Sequence, residues 1–327
     1  MSWNNKKVIV TGAGGFIGSH LTESLVKNGA VVTAFVHYNA LGTWGWLDES
    51  PYKNDVEIIA GDITDRDSVQ NAVKGKEVVF HLAALIAIPY SYRSPASYIR
   101  TNIDGALNIL SSAQAHGVER VVHTSTSEVY GTAKYVPIDE QHPLQGQSPY
   151  SATKIGADKL AESFYLSHNV PVVTVRPFNT FGPRQSTRAI IPTIITQCLS
   201  GNVIKIGSLH PTRDLNFVQN TVGGFLLAGK EPKAVGQTIN LGSGIEITIG
   251  ELAETIAGKL GDSFQIKQDD SRLRPPKSEV ERLLAENRLA RELLGWEPVI
   301  GLSEGLDITI EWLRNNIQKY RPGVYTV

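Results

Sequence analysis

The sequence predicts an α/β fold, a doubly wound parallel sheet followed by a smaller C-terminal α/β lobe. Three observations predict it: β-branched runs alternate with helical patterns, a glycine-rich turn follows the first run, and the chain after residue 178 is richer in proline and less regular. Parallel strands need crossover helices, so this alternation places helices on both faces of the sheet. A chain of 327 residues can bury such a core in one large domain or two ordinary ones.

The predicted elements follow one another in a regular order. Strands are predicted at 8–11, 31–36, 56–60, 78–82, 120–124, 172–176 and 238–241. Helices are predicted from about residue 17, from about 66, from about 98 to 116, and from about 150 to 168. We therefore assign residues 1–178 to the sheet domain, with 238–241 returning to its sheet, and residues 179–327 to the second lobe.

Composition excludes several classes of protein. Lys and Arg (31) nearly balance Asp and Glu (32), so we expect no binding to nucleic acid or to an anionic membrane. The single cysteine, Cys198, cannot form an internal disulfide, and no Cys/His cluster has zinc spacing, which predicts a cytoplasmic protein without a metal site. No leader pattern precedes the first strand, and no apolar run reaches the roughly 20 residues of a spanning helix.

A glycine-rich turn joins the first strand to the first helix. Gly12, Gly15 and Gly18 let the backbone turn tightly and approach a pyrophosphate, while the helix that begins at Phe16 and Ile17 offers free N–H groups and a partial positive charge. In this context the motif predicts a dinucleotide site of the Rossmann type. A glycine-rich structural turn is the alternative.

The end of the second strand bears on the choice of dinucleotide. A carboxylate there binds the ribose 2′-hydroxyl of NAD and repels the 2′-phosphate of NADP. This chain has His37 and Asn39 in that region and no acid. NADP is therefore favoured, with NAD as the alternative.

Two further segments follow strands at the same sheet edge. Asp62, beside Ile63, could reach the adenine amino group, or together with Thr64 it could cap the next helix. After the fourth strand, small side chains would let the backbone lie close to the cofactor in the segment Leu82-Ala83-Ala84.

A phenol and an ammonium are expected on one helix face. Tyr150 and Lys154 are four residues apart in a predicted helix, and Thr126 lies at the end of a strand upstream. The lysine and the nicotinamide charge would lower the tyrosine pKa, so that the phenolate can take a hydroxyl proton during hydride transfer.

With these motifs in order, the chain resembles the extended short-chain dehydrogenase/reductase family, in particular its nucleotide-sugar epimerases, dehydratases and decarboxylases. The resemblance runs from Lys7 to about Trp312. It implies that Thr126 binds a sugar hydroxyl, Tyr150 is the base and Lys154 holds the nicotinamide ribose. It also implies a homodimer in which the helices 98–116 and 150–168 form a four-helix interface. Residues placed by the resemblance at the cofactor or the sugar nucleotide are Pro177, Asn179, Arg213 and Arg274.

The pair Ser127-Glu128, directly after Thr126, bears on which of the family's reactions the chain catalyses. Simple 4-epimerases of this family lack an acid there, many 4,6-dehydratases carry Asp-Glu, and UDP-glucuronate decarboxylases carry Thr-Ser-Glu. The segments 274–283, 212–217 and 37–39, with Trp44 and Trp46, resemble dehydratases of nucleotide-linked N-acetylglucosamine in nonulosonic acid biosynthesis. The favoured function is therefore a 4,6-dehydratase acting on UDP- or GDP-N-acetylglucosamine, with a decarboxylase or 4-epimerase as the alternative. A 4-keto-6-deoxy sugar and a 5,6-ene are both open as products.

Four other residues are assigned by position alone. Arg184 and Arg188 are weaker candidates for substrate binding, whereas His123 and His142 are expected to be structural.

Overall fold

The central sheet has seven strands, and each is parallel to its neighbours. The computed structural model describes residues 2–261 and 264–324, so the outermost bounds of the two predicted domains, 1 and 327, lie outside the described residues. The strands are β1 (Lys7–Thr11), β2 (Val31–His37), β3 (Val56–Gly61), β4 (Val78–His81), β5 (Arg120–Thr124), β6 (Val172–Pro177) and β10 (Thr238–Leu241). Their order across the sheet is β3-β2-β1-β4-β5-β6-β10.

Helices cover both faces of this sheet because successive strand residues point to opposite sides. Val8 and Val10 of β1 pack in one hydrophobic core with helices α1 (Phe16–Lys27) and α8 (Val218–Lys230). Ile9 packs in a second core on the other face. The helices of that second core are α2 (Arg66–Val73), α5 (Gly105–His116) and α6 (Pro149–His168). The doubly wound prediction is confirmed.

The order of the strands reverses between β1 and β4. After β1 and after β4 the polypeptide turns to opposite faces of the sheet, which opens a crevice between the carboxyl ends of these two strands. Ligands bind in this crevice in sheets of this class. The glycine-rich turn follows β1, and the segment that begins at Leu82 follows β4. This arrangement positions the candidate site.

The predicted helix from 98 to 116 is interrupted. Two short helices, α3 (Ile88–Arg93) and α4 (Pro95–Tyr98), precede a π-helical turn over Ile99–Asp104, and the regular helix α5 begins only at Gly105. Asn102 within this turn donates to the Thr153 hydroxyl of α6 at 3.0 Å and exchanges two hydrogen bonds with the backbone of Leu85. These bonds tie the turn to the segment after β4, a tertiary contact that hydrophobic periodicity does not show.

The later part of the chain adds two small sheets and further helices. The strands are β7 (Asn179–Phe181), β8 (Val203–Ile206), β9 (Thr212–Phe217), β11 (Glu246–Thr248) and β12 (Gln265–Gln268). One sheet has the order β11-β9-β7, and the other pairs β12 with β8 in parallel. The helices are α7 (Ile190–Cys198), α9 (Ile249–Leu260), α10 (Arg288–Leu294) and α11 (Leu302–Asn315). β10 pairs with β6 in the central sheet, and the division into two domains stays a prediction.

Two features are absent from residues 2–261 and 264–324. No helix in these ranges is long and apolar enough to cross a membrane. Within the same ranges, no group of three or more His, Cys, Asp and Glu side chains is arranged to hold a metal ion.

Candidate active site

The glycine-rich turn forms a cradle that side chains would fill. Gly12 has a φ of +69°, and a Cβ at this position would lie 2.9 Å from the backbone nitrogen of Ala83. A Cβ on Gly18 would collide with the Gly12 carbonyl. Helix α1 begins at Phe16 without a side-chain cap from Gly15, so its first N–H groups are available to an anion. The turn therefore fits a dinucleotide pyrophosphate.

Thr11 at the end of β1 organises the neighbouring segment. Its Oγ1 accepts hydrogen bonds from the backbone nitrogens of Leu82 and Ala83, both at 3.1 Å, and lies 3.0 Å from His81 Nδ1. With both acceptor positions filled, the hydroxyl donates its proton to Nδ1, so His81 carries its own proton on Nε2. Burial, together with the neighbouring His123 and Lys154, lowers the pKa of His81 well below its usual value. Ala84 continues this segment along the crevice.

The residues expected around the adenosine have different environments. His37 is exposed at the end of β2, but the Asn39 side chain accepts from the backbone nitrogens of Leu41 and Thr43 and thereby closes its own loop. Asp62 accepts from the backbone and hydroxyl of Thr64, both at 2.8 Å.

Neither Asp62 nor Thr64 caps helix α2. The cap is Asp65, which accepts from Asp67 and Ser68, so the capping alternative was wrong. Ile63 is buried in the second core, where its side chain lies against Gly105.

The loop after β2 lies over the glycine-rich turn. The backbone nitrogen of Trp46 donates to the Gly14 carbonyl at 3.0 Å, and Gly14 leaves no room for a Cβ beneath Trp44. The Trp46 ring meets Trp312 edge to face, with centroids 5.3 Å apart. This loop thus connects the glycine-rich turn to helix α11.

Tyr150 and Lys154 lie on the buried face of α6, as the four-residue spacing predicts. A capping box between Ser148 and Ser151 fixes the start of this helix. Burial raises the pKa of the Tyr150 phenol in the chain alone, and a hydrogen bond with Thr126 counteracts part of this rise. The expected lowering of this pKa is therefore not a property of the protein groups by themselves.

Lys154 is fixed by the backbone of the neighbouring strand. Its Nζ donates to the Thr124 carbonyl at 2.6 Å, at the end of β5. Burial lowers its pKa to about 8, against the opposing charge of Asp158. Lys154 is therefore a positioned ammonium whose charge changes near neutral pH.

A short 3-10 turn, Ser127–Tyr130, carries the candidate acid. Thr126 caps it by accepting from the Glu128 backbone nitrogen at 3.2 Å. Ser127 is only 2% exposed and Glu128 8% exposed. The charge of Glu128 raises the pKa of Tyr150 and also acts on Arg213, so the carboxylate is close to both the phenol and this guanidinium.

Two arginines meet at a shared carboxylate. Arg213 is 6% exposed and donates to Glu279 at 3.2 Å. Arg274 lies 3.7 Å from the same carboxylate. The structure therefore brings both predicted diphosphate ligands together, and it adds Glu279, which the sequence interpretation did not include.

The remaining predicted positions divide into two groups. Pro177 ends β6, and beyond it the Oδ1 of Asn179 is buried without a hydrogen-bond partner in the described part of the chain, so it could accept a bond from a ligand. Arg184 instead pairs with Glu23 of α1 at 2.9 Å, which assigns it to the protein framework. The charge of Arg188 acts on the buried Tyr98.

The sequence interpretation missed a buried carboxylate network behind Lys154. Asp158 accepts from His123 at 3.1 Å, from Ser125 at 2.7 Å and from Arg176 at 2.9 Å. His123, expected to be structural, therefore lies in a network that reaches the site. The sequence signal was the acid four residues after Lys154, on the same helix face as the lysine and Tyr150. His142 bonds to the backbone of Lys134 and Pro143, away from these groups.

The family of the chain follows from one comparison. A sequence model described as GDP-mannose 4,6 dehydratase matches residues 9–309. The chain belongs to this family. Relatives of the chain are named as dehydratases, epimerases and decarboxylases of nucleotide sugars. The chain is an enzyme of that group.

Relatives of the chain are named for three different reactions. A UDP-glucose 4-epimerase of Mycolicibacterium smegmatis is 33% identical, with 95% of this chain and 100% of the relative covered. A dTDP-glucose 4,6-dehydratase of Streptomyces antibioticus is 32% identical, covering 96% and 94%. A UDP-glucuronic acid decarboxylase 1 of Xenopus tropicalis is 30% identical, covering 96% and 74%.

Solved structures of relatives share the same fold. The epimerase Mth375 of Methanothermobacter thermautotrophicus superposes with a TM-score of 0.89 at 32% identity, covering 97% of this chain and 94% of that one. The dTDP-glucose 4,6-dehydratase DesIV of Streptomyces venezuelae, with NAD and TYD bound, gives 0.89 at 27% identity, covering 96% and 98%. TunA, described as an NAD-dependent NDP-hexosamine 5,6-dehydratase, gives 0.85 at 26% identity, covering 95% and 98%.

Proposed function

We propose that this enzyme is a nucleotide-sugar 4,6-dehydratase whose substrate is UDP- or GDP-linked N-acetylglucosamine. One observation carries the proposal: Glu128 is held in a buried turn, close enough to both the Tyr150 phenol and Arg213 for its charge to act on both groups. An epimerase that only moves hydride at C4 has no use for a carboxyl at this place. A dehydratase needs one to remove the proton from C5.

The cofactor in this proposal is NAD or NADP. The turn at Gly12, Gly15 and Gly18 would hold the pyrophosphate, and the segment from Leu82 would lie along the nicotinamide half. His37 leaves the ribose 2′ position without a carboxylate, which supports tighter binding of NADP, although the relative DesIV is described with NAD. When bound, the oxidised nicotinamide supplies hydride acceptance from C4, return of the hydride later in the cycle, and a positive charge that favours the phenolate.

The first step, oxidation at C4 of the sugar, would use Tyr150, Thr126 and Lys154. The Tyr150 phenolate takes the proton of the sugar 4-hydroxyl while Thr126, which contacts the phenol, orients that hydroxyl. Lys154, held by the Thr124 carbonyl, would bind the nicotinamide ribose and favour the phenolate by its charge. This step gives a C4 ketone and makes the C5 proton acidic.

The second step belongs to Glu128. Its carboxylate takes the C5 proton, and the C6 hydroxyl leaves as water after receiving a proton. Many family dehydratases have a second acid beside this glutamate, where this chain has the buried Ser127. A single carboxyl that first accepts the C5 proton and then protonates the leaving hydroxyl accounts for the substitution.

The substrate side is assigned to the basic groups. Arg213 and Arg274 would bind the diphosphate, since a guanidinium forms paired hydrogen bonds with phosphate oxygens. Asn179, with its buried and unused Oδ1, would accept a bond from the substrate. Return of hydride to C6, with C5 taking up a proton from water because Glu128 has given its own to the leaving hydroxyl, would give a 4-keto-6-deoxy sugar. Its return to C4, with the Tyr150 proton going back to the C4 oxygen, would give a 5,6-ene.

The alternative is a decarboxylase or a 4-epimerase, because relatives named for those reactions have similar identity to the chain. Incubation with UDP-N-acetylglucosamine, GDP-N-acetylglucosamine, UDP-glucose and UDP-glucuronate, followed by mass spectrometry, separates the three reactions. Loss of water from an N-acetylglucosamine nucleotide supports the proposal. Loss of carbon dioxide from UDP-glucuronate, or an epimer of unchanged mass seen by NMR, without any loss of water would replace it.

A further inference from the structure

The carboxylate of Asp158 lies at the centre of a buried network that the proposed reaction does not use. It is 5% exposed, and its partners His123 and Arg176 are also buried, at 1% and 5%. The donors come from two neighbouring strands: His123 and the residue after β5, Ser125, and Arg176 on β6. One side chain of α6 therefore binds the ends of both strands.

This network reaches the site through the end of β5. Ser125, which donates to Asp158 at 2.7 Å, lies between Thr124 and Thr126. The Thr124 carbonyl holds the Lys154 ammonium, and Thr126 contacts the Tyr150 phenol. Fixing Ser125 against α6 therefore fixes the two contacts that orient Lys154 and Tyr150.

The titratable groups around Lys154 lie on three strands and on its own helix. His81 on β4 and His123 on β5 face it as neutral rings, because burial lowers the pKa of both. Arg176 on β6 already pairs with Asp158 at 2.9 Å. Arg176 also donates to the Tyr130 hydroxyl at 3.0 Å, and its charge acts on the half-buried Glu140. The Asp158 carboxylate therefore interacts with two buried cations, Lys154 and Arg176.

Asp158 can act as that counter-ion because it stays ionised. Burial acts to raise its pKa, but the hydrogen bond from His123 and the charge of Arg176 outweigh burial, and the pKa falls to about 2. A fixed negative charge one helical turn from a buried amine favours its charged form.

We propose that Asp158 is a positioning residue that holds the end of β5 against α6 and keeps the Lys154 ammonium charged. Its effect is limited by Arg176, which competes for the same carboxylate. The inference rests on the role of Lys154 in the proposed function. The experiment reads Lys154 in the chain without substrate, so its result does not depend on which sugar nucleotide is converted.

The experiment is an NMR titration of Lys154. Protein labelled with ¹³C at the lysine ε carbons is titrated between pH 6 and 11, and the Lys154 signal is identified by its absence in Lys154→Arg. Asp158→Asn should lower the midpoint by about one pH unit or more, because the buried amine then loses the carboxylate one helical turn away. Arg176→Gln should raise the midpoint, because the Asp158 carboxylate then interacts with Lys154 without a competing guanidinium. The control is Glu162→Gln, which removes an exposed carboxylate paired with Lys159 on the same helix.

Opposite shifts from the two variants, with an unchanged midpoint in the control, would support the proposal. Removing the negative charge of Asp158 and removing the positive charge of Arg176 act on the Lys154 amine in opposite directions, whereas a general loosening of the network does not depend on the sign of the charge removed. The proposal is overturned if both shifts have the same sign or if neither variant differs from the wild type. If Asp158→Asn does not fold, the rise in Arg176→Gln decides alone, since an unchanged or lowered midpoint there contradicts a shared carboxylate.

Discussion

At the scale of single residues, the buried environment of Tyr150 disfavours the phenolate that the proposed reaction requires. Burial raises the pKa of its phenol, so in the proposed reaction the phenolate would depend on the positive charges of Lys154 and of the nicotinamide. Removing the hydroxyl in Tyr150→Phe should abolish the first step. We expect a loss of roughly 10² to 10⁴ in the rate of substrate-dependent cofactor reduction. Tyr135→Phe, which removes an exposed phenol outside the predicted site, is the control and should keep the wild-type rate.

His20 gives a prediction about acid stability. Its ring contacts the Pro183 carbonyl at 3.1 Å, and burial, with the charge of Arg184, lowers its pKa to about 4. Between the ordinary value of about 6.5 and this value, the unfolded chain takes up a proton that the folded chain does not. The free energy of unfolding should therefore fall as pH falls through this window.

One such group contributes a slope of at most about 1.4 kcal/mol per pH unit. Urea unfolding at pH 7, 6 and 5 measures the slope, which should be flatter in His20→Gln. Replacement of the exposed His116 by Gln is the control. Equal slopes in His20→Gln and the wild type would refute the assignment.

At the scale of elements, the helices of the predicted dimer interface leave apolar side chains in solvent. Ile99 is 50% exposed, Leu107 40% and Leu166 70%, on the π turn, α5 and α6. We predict a homodimer through these helices, measured by light scattering at micromolar concentration. Leu107→Arg should shift the protein to monomer, whereas Val299→Arg, at a residue 82% exposed elsewhere, should not. A monomeric wild type would contradict the prediction.

The long elements of the sheet could be predicted because their signals are local. Buried β-branched runs such as Val8 to Val10 and Val121 to Val122 indicate strands when they lie between helical patterns. The π turn at Ile99–Asp104 could not be predicted, because it depends on Asn102 meeting Thr153 of a helix far along the chain. The short strands of the later sheets were missed for the same reason, since they are defined by pairing.

At the scale of the whole molecule, the fold brings distant residues to one crevice. Tyr150, Glu128 and Arg213 were expected there from motifs, although Arg213 lies on β9, outside the central sheet. Asp158 was not expected, because an acid on a helix is expected to face solvent unless its partners on β5 and β6 are known. The Asp65 cap was missed for a simpler reason, since Asp62 and Thr64 gave an equally good local pattern.

The preference for one dinucleotide over the other is predicted from His37, which stands where a carboxylate would repel the 2′-phosphate. We expect tighter binding of NADP⁺ than of NAD⁺ in titration calorimetry. His37→Asp should weaken NADP⁺ by about tenfold or more, which corresponds to roughly 1.4 kcal/mol, because a carboxylate repels the 2′-phosphate. A clear preference of the wild type for NAD⁺ would show that the absence of an acid at this position does not decide the cofactor.

The central claim is that Tyr150 and Glu128 serve different steps of a dehydration. The most direct measurement is a single-turnover absorbance trace of the reduced nicotinamide with the nucleotide sugar that loses water, combined with the mass of the product. Glu128→Gln should still reduce the cofactor but release water roughly 10² to 10⁴ times more slowly, whereas Tyr150→Phe should show no reduction. If Glu128→Gln loses water at the wild-type rate, Glu128 is not the base at C5 and the proposed dehydratase mechanism is wrong.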